Sequence, residues 1–111
     1  MPAAITSIDL DELRDAADSA CRLLKTLSNP DRLFLLCRLA QGEACVSELE
    51  GELGIMQPTL SQQLGVLRDE ALVSTRREGK RIYYRLASKA AIAVISTLQS
   101  EFCPQKKEKS R

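Results

Sequence analysis

The sequence has no histidine, few aromatic residues (4%) and almost no excess of charge, with 16 Lys and Arg against 15 Asp and Glu. Without histidine there is no imidazole to act as a general base. The four cysteines, Cys21, Cys37, Cys45 and Cys103, are too far apart to form a C-x-x-C unit, which disfavours a zinc ribbon or a thioredoxin-like site. There is also no glycine-rich phosphate loop, so the chain reads as a non-enzyme that needs no cofactor. A thiol oxidoreductase is the nearest enzymatic alternative, and it lacks these parts. Apolar runs such as Leu33 to Cys37 break off well before the roughly 20 residues of a membrane span. The N-terminus has no charged-then-apolar leader pattern, and nothing in the cysteine usage suggests secretion. The expectation is a cytoplasmic protein with reduced thiols.

What is present is a regular hydrophobic pattern. A chain of 111 residues that is 44% hydrophobic supports one modest core and leaves no room for a second domain. Leu10, Leu13, Ala17, Ala20, Leu24 and Leu27 recur at helical spacing, as one long helix or two short ones. Asn29-Pro30-Asp31 marks a new helix start, and Leu33, Leu36, Cys37 and Ala40 form its face. Phe34, Leu35 and Leu39 widen that stripe, so this helix should be almost wholly buried, with Cys37 in or beside the core. Gln41-Gly42-Glu43 reads as a turn. Val46 to Leu53 is a short helix closed by Gly54.

A link of only about three residues, Gly54-Ile55-Met56, then leads into a helix opened by Gln57-Pro58, the length of a helix-turn-helix connection. Leu72 to Arg77 and Arg81 to Leu86 are strand-like runs around Glu78-Gly79-Lys80, a hairpin or wing. Ser88 caps a last helix that carries Ile92, Ile95, Leu98 and Phe102. The expected fold is mainly α with a small β-hairpin wing, a winged helix-turn-helix domain over residues 1–103. Residues 104–111 form a basic tail expected to be disordered.

The charge, though balanced overall, is unevenly placed. Residues 1–20 hold five acids and one base, whereas residues 57–85 carry a surplus of three positive charges. Gln57, Thr59, Ser61, Gln62 and Gln63 offer short donor and acceptor groups beside Leu60 and Leu64, as base reading in a DNA groove requires. Taken alone, the same residues are also consistent with the solvated side of a surface helix. The wing supplies Arg76, Arg77, Lys80, Arg81 and Arg85, a density suited to phosphate contacts. Double-stranded operator DNA is therefore the expected partner. A winged helix that binds only protein is the other alternative, and the basic wing argues against it. One reading unit covers few base pairs, so a homodimer through the first and last helices is expected, with half-sites roughly 34 Å apart.

The stretches Leu24 to Leu33, Gln57 to Arg68, Leu72-Val73, Arg76 to Lys80 and Tyr83 to Leu86 resemble the ArsR/SmtB repressor family over about residues 20–103. The resemblance implies a homodimeric bacterial repressor that leaves its operator when a metal or reactive species binds. Zinc-type members use histidine on the last helix, which this chain cannot supply. Arsenite-type members carry Cys-Val-Cys on the first reader helix, whereas here the order is Cys45-Val46-Ser47. Cys37 and Cys103 resemble the cysteine pair of the BigR/SqrR persulfide-sensing branch. That similarity implies release from DNA when reactive sulfur species or oxidant link the two as a disulfide or polysulfide, and it suggests sulfide-detoxification genes as targets. By residue type alone, Cys37 is equally a small core hydrophobe and Cys103 an ordinary helix-end residue. A thiolate sensor of As(III) or Cu(I) is the alternative within the family. Cys21 and Cys45 are expected to be structural, and Lys106 and Lys107 would favour the Cys103 thiolate if the tail folds back.

Overall fold

The computed structural model describes residues 9–104; the basic tail beyond Pro104, with Lys106 and Lys107, lies outside the described residues. The first helix, α1 (Leu10–Leu27), is a single continuous element, which settles the choice between one helix and two. Asp9 caps it, Asp11 and Glu12 occupy its first turn and Lys25 its last, the charge order that the helix dipole favours. The second helix, α2 (Pro30–Leu39), starts where Asn29 accepts a hydrogen bond from the Arg32 N–H at 3.0 Å, with Pro30 at its first position. After a turn come the short strand β1 (Ala44–Cys45) and α3 (Val46–Leu53), which ends at Gly54 in the left-handed conformation with φ 71°. Helix α4 (Gln57–Asp69) follows at once. The wing is β2 (Val73–Glu78) and β3 (Arg81–Leu86), and α5 (Lys89–Phe102) begins where Ser88 caps the Ala91 N–H at 3.1 Å.

The sheet has three strands rather than the expected two. It is antiparallel in the order β1-β3-β2, with Ala44 opposite Tyr84 and Cys45 opposite Tyr83. A strand of two residues has no alternation to reveal it in sequence. It staples the base of the wing to the start of α3. Within the hairpin, Thr75 faces Tyr84 and Arg76 faces Tyr83, so alternate pairs point to opposite sides.

The core is shared by α2, α3, α4 and α5: Leu35, Leu36, Leu49, Leu60, Leu64, Leu67 and Ile95 are fully buried. Leu33 and Cys37 pack against its edge. The expectation that α2 would be almost wholly buried fails at Phe34, which is 49% exposed, because no other element of the single chain covers that side. Helix α1 departs furthest from core packing, since only Thr26 and Leu27 at its end are buried. Among the described residues no helix is long and apolar enough to cross a membrane.

Candidate nucleic-acid interface and thiol pair

Helix α4 buries Leu60, Leu64 and Leu67, and this orientation turns Gln57, Ser61 and Gln62 fully outward with Thr59 half-covered beside them. Two turns beyond Ser61, past the half-buried Gly65, Arg68 is exposed as well. Arg68 was not singled out in the sequence, although its spacing from Ser61 would have indicated it. No side chain caps the start of α4 and no acid lies in its first turn, so its N–H groups and the positive end of its dipole remain open to an anion.

Gln63 is different from its neighbours. It is half-buried, and its Oε1 accepts a hydrogen bond from Arg32 Nη1 at 3.0 Å. A guanidinium has donors only, so the amide must present its oxygen inward. The expectation that Gln63 offers a free amide edge to a base is corrected accordingly.

The wing also divides. Arg76 Nε lies 2.9 and 3.0 Å from the two Glu43 oxygens, its Nη1 is 2.7 Å from Glu78, and its guanidinium stacks 4.7 Å from the centre of the Tyr83 ring. Hydrogen bonds to Glu43 and then Glu78 raise the Arg76 pKa above its ordinary value, and the same contact with Arg76 lowers that of Glu43. Arg76 was expected to be available for phosphates; in this structure two carboxylates from its own chain already neutralise it. Arg77, Lys80 and Arg81 are exposed and form no ion pair among the described residues. Arg85 donates to Ser74 Oγ at 3.2 Å.

Two of the thiols, Cys37 and Cys103, lie where the end of α5 meets α2. Cys37 sits half-buried on α2 and Cys103 is exposed at the end of α5; neither they nor Cys21 and Cys45 form a disulfide. Gln99 Nε2 donates to the Cys37 carbonyl at 3.2 Å, and the Cys103 N–H donates to the Gln99 carbonyl at 3.0 Å, which fixes the end of α5 beside α2. A shallow groove lined by Gln41, Ser96, Gln99, Ser100, Cys103 and Pro104 opens there. Burial pushes the Cys37 thiol up, and a negative charge on Cys103 pushes it further, while a hydrogen bond from Gln99 works the other way.

Cys45 is buried at the start of α3, where its N–H donates to Glu48 Oε1 at 3.0 Å and its sulfur lies 3.3 Å from Ser47 Oγ. Cys21 is exposed on α1, so it has no packing role within one chain. Among the described residues no three Cys, Asp or Glu side chains gather as metal ligands, and the chain has no histidine for a zinc site of the usual kind.

The model of the family described as bacterial regulatory protein, arsR family, matches residues 29–75. The chain is 53% identical over 102 residues to the biofilm growth-associated repressor of Agrobacterium fabrum, covering 92% of this chain and 87% of that protein. Among solved structures it is similar to the transcriptional repressor BigR from Xylella fastidiosa, at 48% identity and a TM-score of 0.79 over 88% of this chain and 100% of that one. It is similar, too, to a homodimeric winged helix-turn-helix DNA-binding domain from Mycobacterium bovis, at 33% identity and a TM-score of 0.71 over 86% of this chain and 89% of that one.

Proposed function

Since the chain belongs to the arsR family of bacterial regulatory proteins, we propose that it is a homodimeric transcriptional repressor, not an enzyme, released from operator DNA when Cys37 and Cys103 are linked by reactive sulfur. It acts in the cytoplasm, where its thiols are kept reduced and its operator is accessible. Gln57, Thr59, Ser61 and Gln62 read base edges from the exposed side of α4, while Arg77, Lys80 and Arg81 hold phosphates from the wing. Arg68 adds a cation at the end of the reading helix. The exposed apolar positions of α1 and α5 pair with those of a second copy.

One observation carries the sensing part of the proposal: the end of α5 is fixed beside Cys37 through Gln99, so that the charge of Cys103 bears on Cys37. Cys103, being exposed, reacts first. Its thiolate attacks the outer sulfur of a low-molecular-weight persulfide and expels the parent thiolate, leaving a persulfide on Cys103. The Cys37 thiolate then attacks the inner sulfur and expels hydrosulfide. The two protein thiols are oxidised to a disulfide and the transferred sulfur is reduced to sulfide. If Cys37 has also been persulfidated, the same displacement leaves a longer sulfur bridge, which spans a wider gap than a disulfide allows. Either bridge ties α2 to the end of α5 and changes the packing that orients α4 and the wing.

The test uses a duplex selected by the reduced protein from a pool of random sequences. Persulfide should release the wild-type protein from this duplex, dithiothreitol should restore binding, and mass spectrometry should count the linking sulfurs. Cys37→Ser and Cys103→Ser variants should bind the duplex and stay bound under persulfide. Release of either variant would remove the pair as the sensor. Parallel titrations with arsenite and zinc should leave the complex intact.

A further inference from the structure

Helix α1 ends in a difficulty created by the sequence. The Thr26 carbonyl would ordinarily accept the N–H of the residue four positions on, but that residue is Pro30, which has none. Arg32 fills the gap, its Nε donating to the Thr26 carbonyl at 2.8 Å. The backbone of Arg32 is itself held, because its N–H is the one capped by Asn29. The other arm of the same planar group reaches Gln63 on α4 at 3.0 Å. A single rigid fork therefore joins the end of α1 to the middle of α4, in a part-buried setting where such bonds are worth more than in open water.

We infer that Arg32 and Gln63 form a clamp that sets the angle of the recognition helix against α1, and that Gln63 is a positioning residue rather than a base reader. The inference rests on the DNA-binding reading above and goes beyond it. A glutamine that reads adenine uses both ends of its amide, the oxygen to accept and the nitrogen to donate. With its oxygen turned inward to Arg32, Gln63 cannot present that pair of groups. Gln62, exposed on the neighbouring position, is free to do so. Helix α1 carries the exposed apolar stripe, so the clamp connects the surface available for pairing to the helix available for DNA.

Two measurements test this on the full chain. In urea unfolding without DNA, the Arg32→Met and Gln63→Leu effects should be strongly non-additive, the double variant being about as stable as the less stable single variant. Additive effects would overturn the clamp. Binding of each single variant to the duplex selected by the wild-type protein should weaken, by up to about tenfold if DNA must restore the helix angle that the lost charge-assisted bond had held. Its preference among single base-pair substitutions of that duplex should stay unchanged. A Gln63→Leu protein whose preference changes at one base pair would overturn the positioning role, and this variant decides the matter even if Arg32→Met does not fold. A wild-type protein that enriches no sequence from the random pool would instead overturn the DNA-binding reading and with it the role given to Gln63.

Discussion

A half-buried thiol is a poor nucleophile near neutral pH, because burial favours its uncharged form. Cys37 is in this position, and a negative charge on Cys103 adds to the effect. Cys37 should therefore alkylate slowly at pH 7, its rate rising only above the ordinary thiol pKa of about 8.5. In the Cys103→Ser variant the like charge is gone, so the pH at which Cys37 alkylates half-maximally should move down while staying above the ordinary value. Iodoacetamide labelling across a pH series, read by mass spectrometry, measures both positions. A Cys37 that labels freely at pH 7, or whose profile ignores the loss of Cys103, would mean that the thiols do not interact. The slow thiol is what the proposed sequence of steps needs: an exposed Cys103 that captures sulfur and a sheltered Cys37 that closes the bridge. At this scale the sequence was informative about residue type and silent about partners. Gln62 and Gln63 are identical side chains one position apart, and only the packing of α2 against α4 distinguishes the free one from the held one.

Among the elements, the wing is where charge and fold are most closely tied. Arg76 and Glu43 join β2 to the turn after α2, and Glu78 takes a further Arg76 nitrogen. Arg76→Ala should thus weaken DNA binding less than Arg77→Ala or Lys80→Ala, since the latter two lose a cation not already neutralised. Glu43→Gln should have the opposite effect, strengthening binding as Arg76 is partly freed. It should also steepen the dependence of log affinity on log salt by up to about 0.9, the value of one phosphate contact. Anisotropy titrations at several salt concentrations test both, and weaker binding by Glu43→Gln would show that the pair holds the wing in its binding shape. The Glu43 carboxyl is lowered by its hydrogen bond with Arg76, so what the pair adds to folding is present above the ordinary glutamate value of about 4.3. It is lost only as pH falls through the lower folded value, so DNA binding between pH 6 and 8 should show no step from Glu43. The hairpin itself was legible because Ile82, Tyr84 and Leu86 alternate beyond Gly79, which takes a φ of 63° at the turn. Neither the third strand nor the Glu43 contact was legible, since both join segments far apart in the chain and depend on how the helices bring them together.

For the molecule as a whole, the distribution of charge and of exposed apolar surface points to a paired unit. Its radius of gyration is 16.4 Å, against about 13 Å for a compact chain of some 100 residues. On helix α1, Leu10, Leu13 and Leu24 are 77%, 48% and 55% exposed, and with Ala17 and Ala20 they fall on a seam of alternating three- and four-residue steps. Such a seam is stable in water only when a second helix covers it. Ile92 and Phe102 leave α5 similarly open. The acids of α1, Asp11, Glu12, Asp15 and Asp18, would repel phosphate, so in the proposed dimer α1 serves pairing and contact with DNA falls to α4 and the basic wing. Burying one leucine is worth about 1.5 to 3 kcal/mol. Leu24→Glu should accordingly raise the dimer dissociation constant by at least about tenfold. Sedimentation equilibrium should show a shift toward monomer, and the melting temperature of the wild-type protein should rise with concentration as that of a linked dimer does. DNA affinity should fall along with dimerisation even though Leu24 is an exposed residue of α1, outside α4 and the wing, because two half-sites are then no longer held by one particle. A Leu24→Glu protein that remains dimeric and binds DNA normally would put the pairing surface elsewhere and leave the α1 seam without a function.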